Sequence, residues 1–481
     1  MADTDGEAPG ASRRSLLRGG VVLAGTAMLP SGAPAFAAPF PDPAGQEGGH
    51  EVAPGRHLPG SSPSVVNLVT DFGALGDGAA DDTQAFELAY QYAASRVREG
   101  IGRTVIEIPA GTFLVKRPHA LLNGTAPPRP ANGLRFRGAG KRMTEIVFQP
   151  VTGPGSYLCR NEDVWANVMF EQIQFRSATP GASFFYSYST GQAQDYRFSE
   201  CEWMGEWEYG LALDGTDTNS EMRWDACRVG GAYRKAFLYS GLSQRTPDPQ
   251  RQDQFLNYWF NDMKVEYEWG NFLEFPYGGS ITCRGGSYLI TGRRPEDSPE
   301  YARSSTFFRF PQGQHHGSVQ RFHAADIRFE VRDPDVLVID SAWTGGTVSF
   351  SDCDDTALAY KDFSPEVRAH RYAIGARGPL IRYDSCQLVG RHEYRPSGPI
   401  EKIPKIARYD MCLLSSHTAG DFVVLTDAAD PELVVTFVDC IDELNGAVAS
   451  QAPTPTTSTP PTPTPTPTPG SATPGVAAPA E

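Results

Sequence analysis

The chain has 481 residues, 57 acidic against 42 basic, a net charge of −15 and 11 % aromatic side chains. That balance argues against nucleic acid as a partner, because phosphate binding rests on clustered Lys and Arg. The length allows one large core, yet the C-terminal end of the chain lacks the apolar residues to join it.

The first 37 residues read as an export signal. Ser12-Arg13-Arg14-Ser15-Leu16-Leu17-Arg18 resembles the bacterial twin-arginine motif, an apolar stretch follows, and Ala35-Phe36-Ala37 has the small-x-small form of a cleavage site. The apolar stretch falls short of the ~20 helical residues that span a bilayer, so cleavage is expected, giving a secreted bacterial protein with no membrane association afterwards. Residues 38–64 form a Pro/Gly-rich linker, and 65–448 one domain. Residues 449–481 form a Thr/Pro tail that extends as polyproline II, a disordered stalk suited to cell-wall association.

Within the domain, residues 65–150 form an N-terminal module. Asp81, with Gln84 three residues later, predicts a capped helix, and Phe86, Ala89, Tyr90, Ala93 and Val97 give it one apolar stripe. Residues 104–115 then read as strand, tight turn, strand, and residues 134–148 add another pair around glycines. The motifs Asp71-Phe72-Gly73-Ala74, Gly76-Asp77-Gly78, Asp81-Asp82-Thr83 and Ile108-Pro109-Ala110-Gly111 resemble the rhamnogalacturonase and epimerase-like N-terminal module of the pectate lyase superfamily. The resemblance implies a right-handed parallel β-helix, all-β apart from an N-terminal capping helix. It also implies a carbohydrate-active enzyme.

Beyond residue 150 a pattern recurs: an aromatic residue, then two others, then a small buried anchor. Ile173, Cys201, Cys227, Met263, Cys283, Ala325, Cys353, Cys386, Cys412 and Cys440 occupy the anchor position. The spacing is that of a solenoid whose coils bury their apolar sides against their neighbours. Ile, Met and Ala in the cysteine position favour an internal stack, with a disulfide between neighbouring coils as the competing reading and no paired CxxC to support zinc.

Two stretches following anchors interleave carboxylates with aromatics, EWMGEWEYG at 202–210 and VEYEWGNFLEF at 265–275. Aromatic rings stack on sugar faces, and paired carboxylates cleave glycosides. Glu208 and Glu268 are therefore expected as acid and base, with Glu206 and Glu266 as near alternatives, because a one-residue slip of a strand exchanges its faces. Lys235 and Arg234 lie on the coil between, and Trp203, Trp207, Tyr209, Tyr267 and Trp269 would hold the polymer. If the coils are in register, the two glutamates stand roughly 9 to 10 Å apart, near the upper end of the range for an inverting hydrolase.

The expected function is hydrolysis of a polysaccharide without a cofactor. The rival enzyme reading is β-elimination, with a base such as Lys235 or Arg234 and with Arg or calcium neutralising a uronate. A non-catalytic polysaccharide binder would use the same aromatic face. Weaker candidates are the acidic run Asp352, Asp354, Asp355, the pair His315-His316, the group His392-Glu393-Tyr394, and Arg293, Arg294 and Arg371.

Overall fold

A computed structural model describes residues 64–449 apart from 99, 101, 126–130, 191–193, 216–218, 242–255, 277, 293, 296–304, 312–318, 334, 358–368, 376–377, 397–404, 416–421, 426–433 and 443–446. The signal, linker and tail readings, with His315, His316 and Arg293, lie outside the described residues.

Successive coils pair strand to strand in parallel on three sheets. The first sheet starts with Val65–Asn67 and Thr104–Ile108, the second with Asp77–Asp81 and Gly111–Val115, and the third with Leu122–Gly124 and Tyr157–Glu162. This is a parallel β-helix. The strands alternate as half-buried strands must: TVIEI at 104–108 is buried at every second residue. Where Cys440–Asp442 ends the second sheet, Ala447–Ala449 pairs with it antiparallel. That hairpin gives the last coil a partner in place of an open edge.

The recurring aromatic forms a column inside the first sheet. Phe136, Phe170, Phe198, Trp224 and Phe260 are in register, with stacked ring centroids 4.5 to 5.5 Å apart. Each stacked pair adds about 0.5–1.5 kcal/mol to the area it buries. The column breaks at Cys283 and Ala324 and resumes as Phe350, Tyr383, Tyr409 and Phe437.

From Phe170 onward, two residues after each aromatic of the column the chain turns into the second sheet through one left-handed residue. Gln172, Glu200, Ala226, Asp262, Asp352, Ser385, Met411 and Asp439 all have φ near +50°, each just before an anchor. Two expected anchors are corrected here. Cys283 belongs to the aromatic column, and the residue paired with Met263 is Gly286. Its φ is +100°, and a Cβ there would meet the Met263 carbonyl at 2.0 Å, so only glycine fits. In the next coil the left-handed residue is Asp326, which makes Ile327 the anchor in place of Ala325.

All eight cysteines are buried and free. Those at the anchor donate to carbonyls inside the coil, as Cys201 does to Phe170 at 3.4 Å and Cys227 to Phe198 at 3.4 Å. The internal-stack reading holds, and the disulfide reading does not.

The helix runs from Thr83 to Arg98. The Asp81 carboxylate accepts from the Thr83 amide at 3.1 Å, while Asp82 accepts from the amides of Leu75 and Gly76. Asp77 accepts from Ala79 and Ala80, and these bonds hold its carboxyl below the usual range. The acidic turn is thus occupied with backbone amides. Phe86 packs edge-on against Phe113, and the Trp165 indole N–H donates to the Tyr90 hydroxyl at 3.2 Å, which fixes the helix over the first coils.

Candidate functional site

The residues expected to form one site divide among three places. Trp203, Trp207 and Tyr267 are fully buried in the core, so they face the coil interior and are corrected as sugar-binding residues. The cause is strand parity: each lies an even number of residues from an inward anchor, as Trp203 does from Cys201 and Tyr267 from Met263. Glu266 lies on the outer face of the second sheet, bonded to Lys264 at 3.0 Å and Arg228 at 3.2 Å. The Lys264 hydrogen bond, with help from Arg228, holds its carboxyl below the ordinary range. An acid clamped in that way suits an ion-pair ladder better than proton transfer. Glu202, which sequence reading left aside, joins the same ladder through Arg228 at 2.6 Å.

At the corner between the second and third sheets, Glu206 pairs with Arg234 at 2.6 Å. Glu208 is half-buried, at a register shift between Trp207 and Tyr209, and Glu268 is exposed. The Arg294 guanidinium lies 5.8 Å from the centre of the largely buried Trp269 ring. The register shift removes the common spacing on which the Glu208–Glu268 pairing depended.

The outer face of the third sheet carries a different set. Tyr186, Tyr209 and Ala212 form a cluster of their own, outside the main core, flanked by Tyr157, Tyr188 and Tyr239. Tyr157 and Tyr186 are 5.4 Å apart, and Tyr209 meets Tyr239 edge-on at 5.7 Å. Of these, sequence reading had singled out only Tyr209. The signal for the others was present as SFFYSYS at 183–189, where tyrosines alternate with small residues, but without parity it could not be told from core.

A cavity of about 300 Å³ opens beside this cluster, lined by Pro118, His119, Ser156, Tyr157, Arg160 and Tyr186. His119 reaches it from a turn at φ +60°, and its amide donates to the Tyr157 carbonyl at 2.9 Å. Burial, reinforced by the Arg160 guanidinium, pulls the His119 imidazole down to about 4 against a weaker upward effect of Glu162. Arg160 pairs with Glu162 and lies 5.9 Å from the centre of the Tyr186 ring. The Tyr186 hydroxyl donates to the buried Asp214 at 3.0 Å. The site therefore holds a neutral imidazole, a guanidinium and two phenols.

Further along, the outward register runs Tyr239, Glu274, Arg309, Asp340. Burial raises the Glu274 carboxyl above its ordinary range, although Arg309, Asn271, Lys235 and Arg294 all act to lower it. Asn271 donates to it at 2.8 Å, and Arg309 lies 3.8 Å away. Lys235, expected on sequence grounds, thus enters through its field on Glu274.

No family model matches the chain. A preneck appendage protein of Bacillus phage PZA is 35 % identical over 96 residues, which is 20 % of this chain and 9 % of that protein, so this chain matches less than two thirds of that relative's length. Among solved structures, the Azotobacter vinelandii mannuronan C-5 epimerase AlgE4 A-module is similar over 78 % of this chain and 94 % of its own, at 12 % identity and a TM-score of 0.46. A catalytic unit of a GH87 α-1,3-glucanase from Streptomyces thermodiastaticus covers 78 % of this chain and 63 % of its own, at 14 % identity and a TM-score of 0.35.

Proposed function

We propose that the protein binds an acidic polysaccharide along the outer face of the third sheet and cleaves it by β-elimination in the His119 cavity. The observation that carries this reading is the company of His119: an imidazole kept neutral, beside Arg160 and two tyrosines, in a concave site at the end of an aromatic row.

Elimination needs a base for the proton next to a uronate carboxylate, a cation for that carboxylate, and an acid for the leaving oxygen. His119 takes the proton, Arg160 neutralises the carboxylate, and the Tyr157 hydroxyl protonates the departing glycosidic oxygen as the C–O bond breaks and a C=C bond forms. The partly exposed rings of Tyr157, Tyr188 and Tyr239 supply flat surfaces for neighbouring sugars. Lys235, Arg294 and Arg309 give this face local positive charge on a chain that is acidic as a whole.

Glu274 favours a second reading. A carboxyl held above its ordinary range is suited to act as the general acid of a hydrolase. One assay separates the readings: incubate the protein with uronate and neutral polysaccharides, with and without calcium, and follow reducing ends and the ultraviolet absorbance of an unsaturated product. Both signals together support elimination. Reducing ends alone, lost in Glu274→Gln, support hydrolysis and sink the His119 mechanism. Binding with neither signal leaves a polysaccharide-binding module. The calcium arm tells whether a cation shares the task of Arg160.

A further inference from the structure

Inside the last coils, far along the stack from the His119 cavity, the core turns polar. Asp355, on the second sheet, stands in register with Phe329 of the coil before it, and it is 1 % exposed. His370 and His392, adjacent in register on the third sheet, are fully buried, with rings stacked at 4.1 Å and 22°. One carboxylate oxygen and a ring nitrogen from each histidine lie within 4.8 Å of one another. Each histidine also belongs to a repeated unit. His370 Nδ1 is hydrogen-bonded to the Tyr383 hydroxyl at 2.9 Å, and Tyr383 to Tyr372. One coil on, His392 Nδ1 is 2.8 Å from the Tyr409 hydroxyl, and Tyr409 is 2.5 Å from Tyr394.

Two histidine–tyrosine–tyrosine units are thus stacked in register beside a single carboxylate. A lone buried carboxylate costs several kcal/mol unless a cation compensates it. His370 Nε2 already lies 2.8 Å from Asp355 Oδ2, a contact that uses the first unit alone. A metal ion accounts for both units. With Nδ1 of each ring held by a phenol, Nε2 is the nitrogen left to ligate, and a hydrogen-bonded partner on the far nitrogen is how metal-binding histidines are oriented. Bonds of ~2.0–2.2 Å to zinc place ligand atoms at most ~4.4 Å apart, so the set closes with small side-chain movements.

We propose that Asp355, His370 and His392 bind one divalent transition-metal ion of the zinc type inside the β-helix, where it fastens two successive coils to each other. Imidazole and carboxylate together suit zinc or cobalt rather than calcium or magnesium. Enclosed by the coil, the ion enters as the chain folds.

The test uses the full chain without a histidine tag, produced in zinc-supplemented medium, and separately unfolded with chelator and refolded with Zn²⁺, with Co²⁺ or with no metal. Zinc should remain at roughly one equivalent per chain after gel filtration, and the refolded zinc form should melt above the metal-free form. The cobalt form should show visible d–d absorption. Asp355→Asn and His392→Gln should each drop the metal content below about a tenth of an equivalent. A wild-type chain that holds no zinc and melts identically with and without it overturns the proposal, as do variants that hold as much metal as wild type. Should those variants fail to fold, Tyr409→Phe keeps the ring and removes only the partner of His392 Nδ1. It should weaken zinc binding roughly 10- to 100-fold, and unchanged affinity would refute the site.

Discussion

The third sheet presents one inward and one outward column over its whole length, and both change character between its early and late coils. Inward, Cys159, Phe185, Leu211, Leu238, Leu273, Phe308 and Ile339 follow one another before His370 and His392. Outward, the early coils carry Tyr186 and Tyr239, and the later ones alternate Glu274, Arg309, Asp340, Arg371 and Glu393. Along these two columns the early coils are apolar inward and aromatic outward, and the late coils are polar inward and charged outward. One backbone repeat thus carries two texts that vary independently, because a strand's opposite faces share no side-chain contacts. On the proposed reading, polymer handling falls to the outside of the early coils.

The largest expected effect strikes the early outer face. His119→Gln should lower elimination by about 10²- to 10⁴-fold, the usual worth of a positioned base, with little change in melting temperature. In wild type the rate should fall as pH drops through about 4, where His119 takes up a proton and ceases to be a base. Glu162 raises that value, so Glu162→Gln should move the acidic limb to lower pH. A rate indifferent to His119 breaks the assignment.

Trp203→Ala, on the inner side of the same coils, should cost about 3–5 kcal/mol of stability, read by denaturant unfolding, while the surviving folded fraction keeps its affinity for polymer. Tyr239→Ala should do the reverse. Binding should weaken by about 0.5–1.5 kcal/mol, the worth of one ring contact, measured by calorimetry, with stability nearly unchanged. The smallest effect is expected of the residues that sequence spacing favoured. Glu208→Gln and Glu268→Gln should leave turnover within about a factor of two, as surface changes do. A large loss from either would return the site to the corner between the second and third sheets.

The coil count, the aromatic column and the cysteine stack were legible because each residue type recurs at one place in every turn. Phe198, Trp224, Phe350, Tyr383 and Phe437 announce the column directly. Reading failed where the backbone, rather than a side chain, set the register. Gly286 replaces an anchor because no Cβ fits against the Met263 carbonyl, and without that knowledge the nearby Cys283 looks like the better match. The carboxylate–aromatic stretch at 202–210 misled for a related reason. Its alternation is genuine, but the register shift after Trp207 changes which residues continue outward.

By itself the amino-acid sequence determined a solenoid, the capping helix and the buried state of the cysteines, since these follow from local periodicity and capping chemistry, while the parallel β-helix came as what the resemblance of its N-terminal motifs implies. It also placed His392 and Asp355 among candidates, without joining them. Only the tertiary structure brought His119 to Tyr186, or Asp355 to His370 and His392. Residues that meet across coils are separated in the chain by loops of varying length, and the stacking register, which no local pattern encodes, decides which side chains become neighbours.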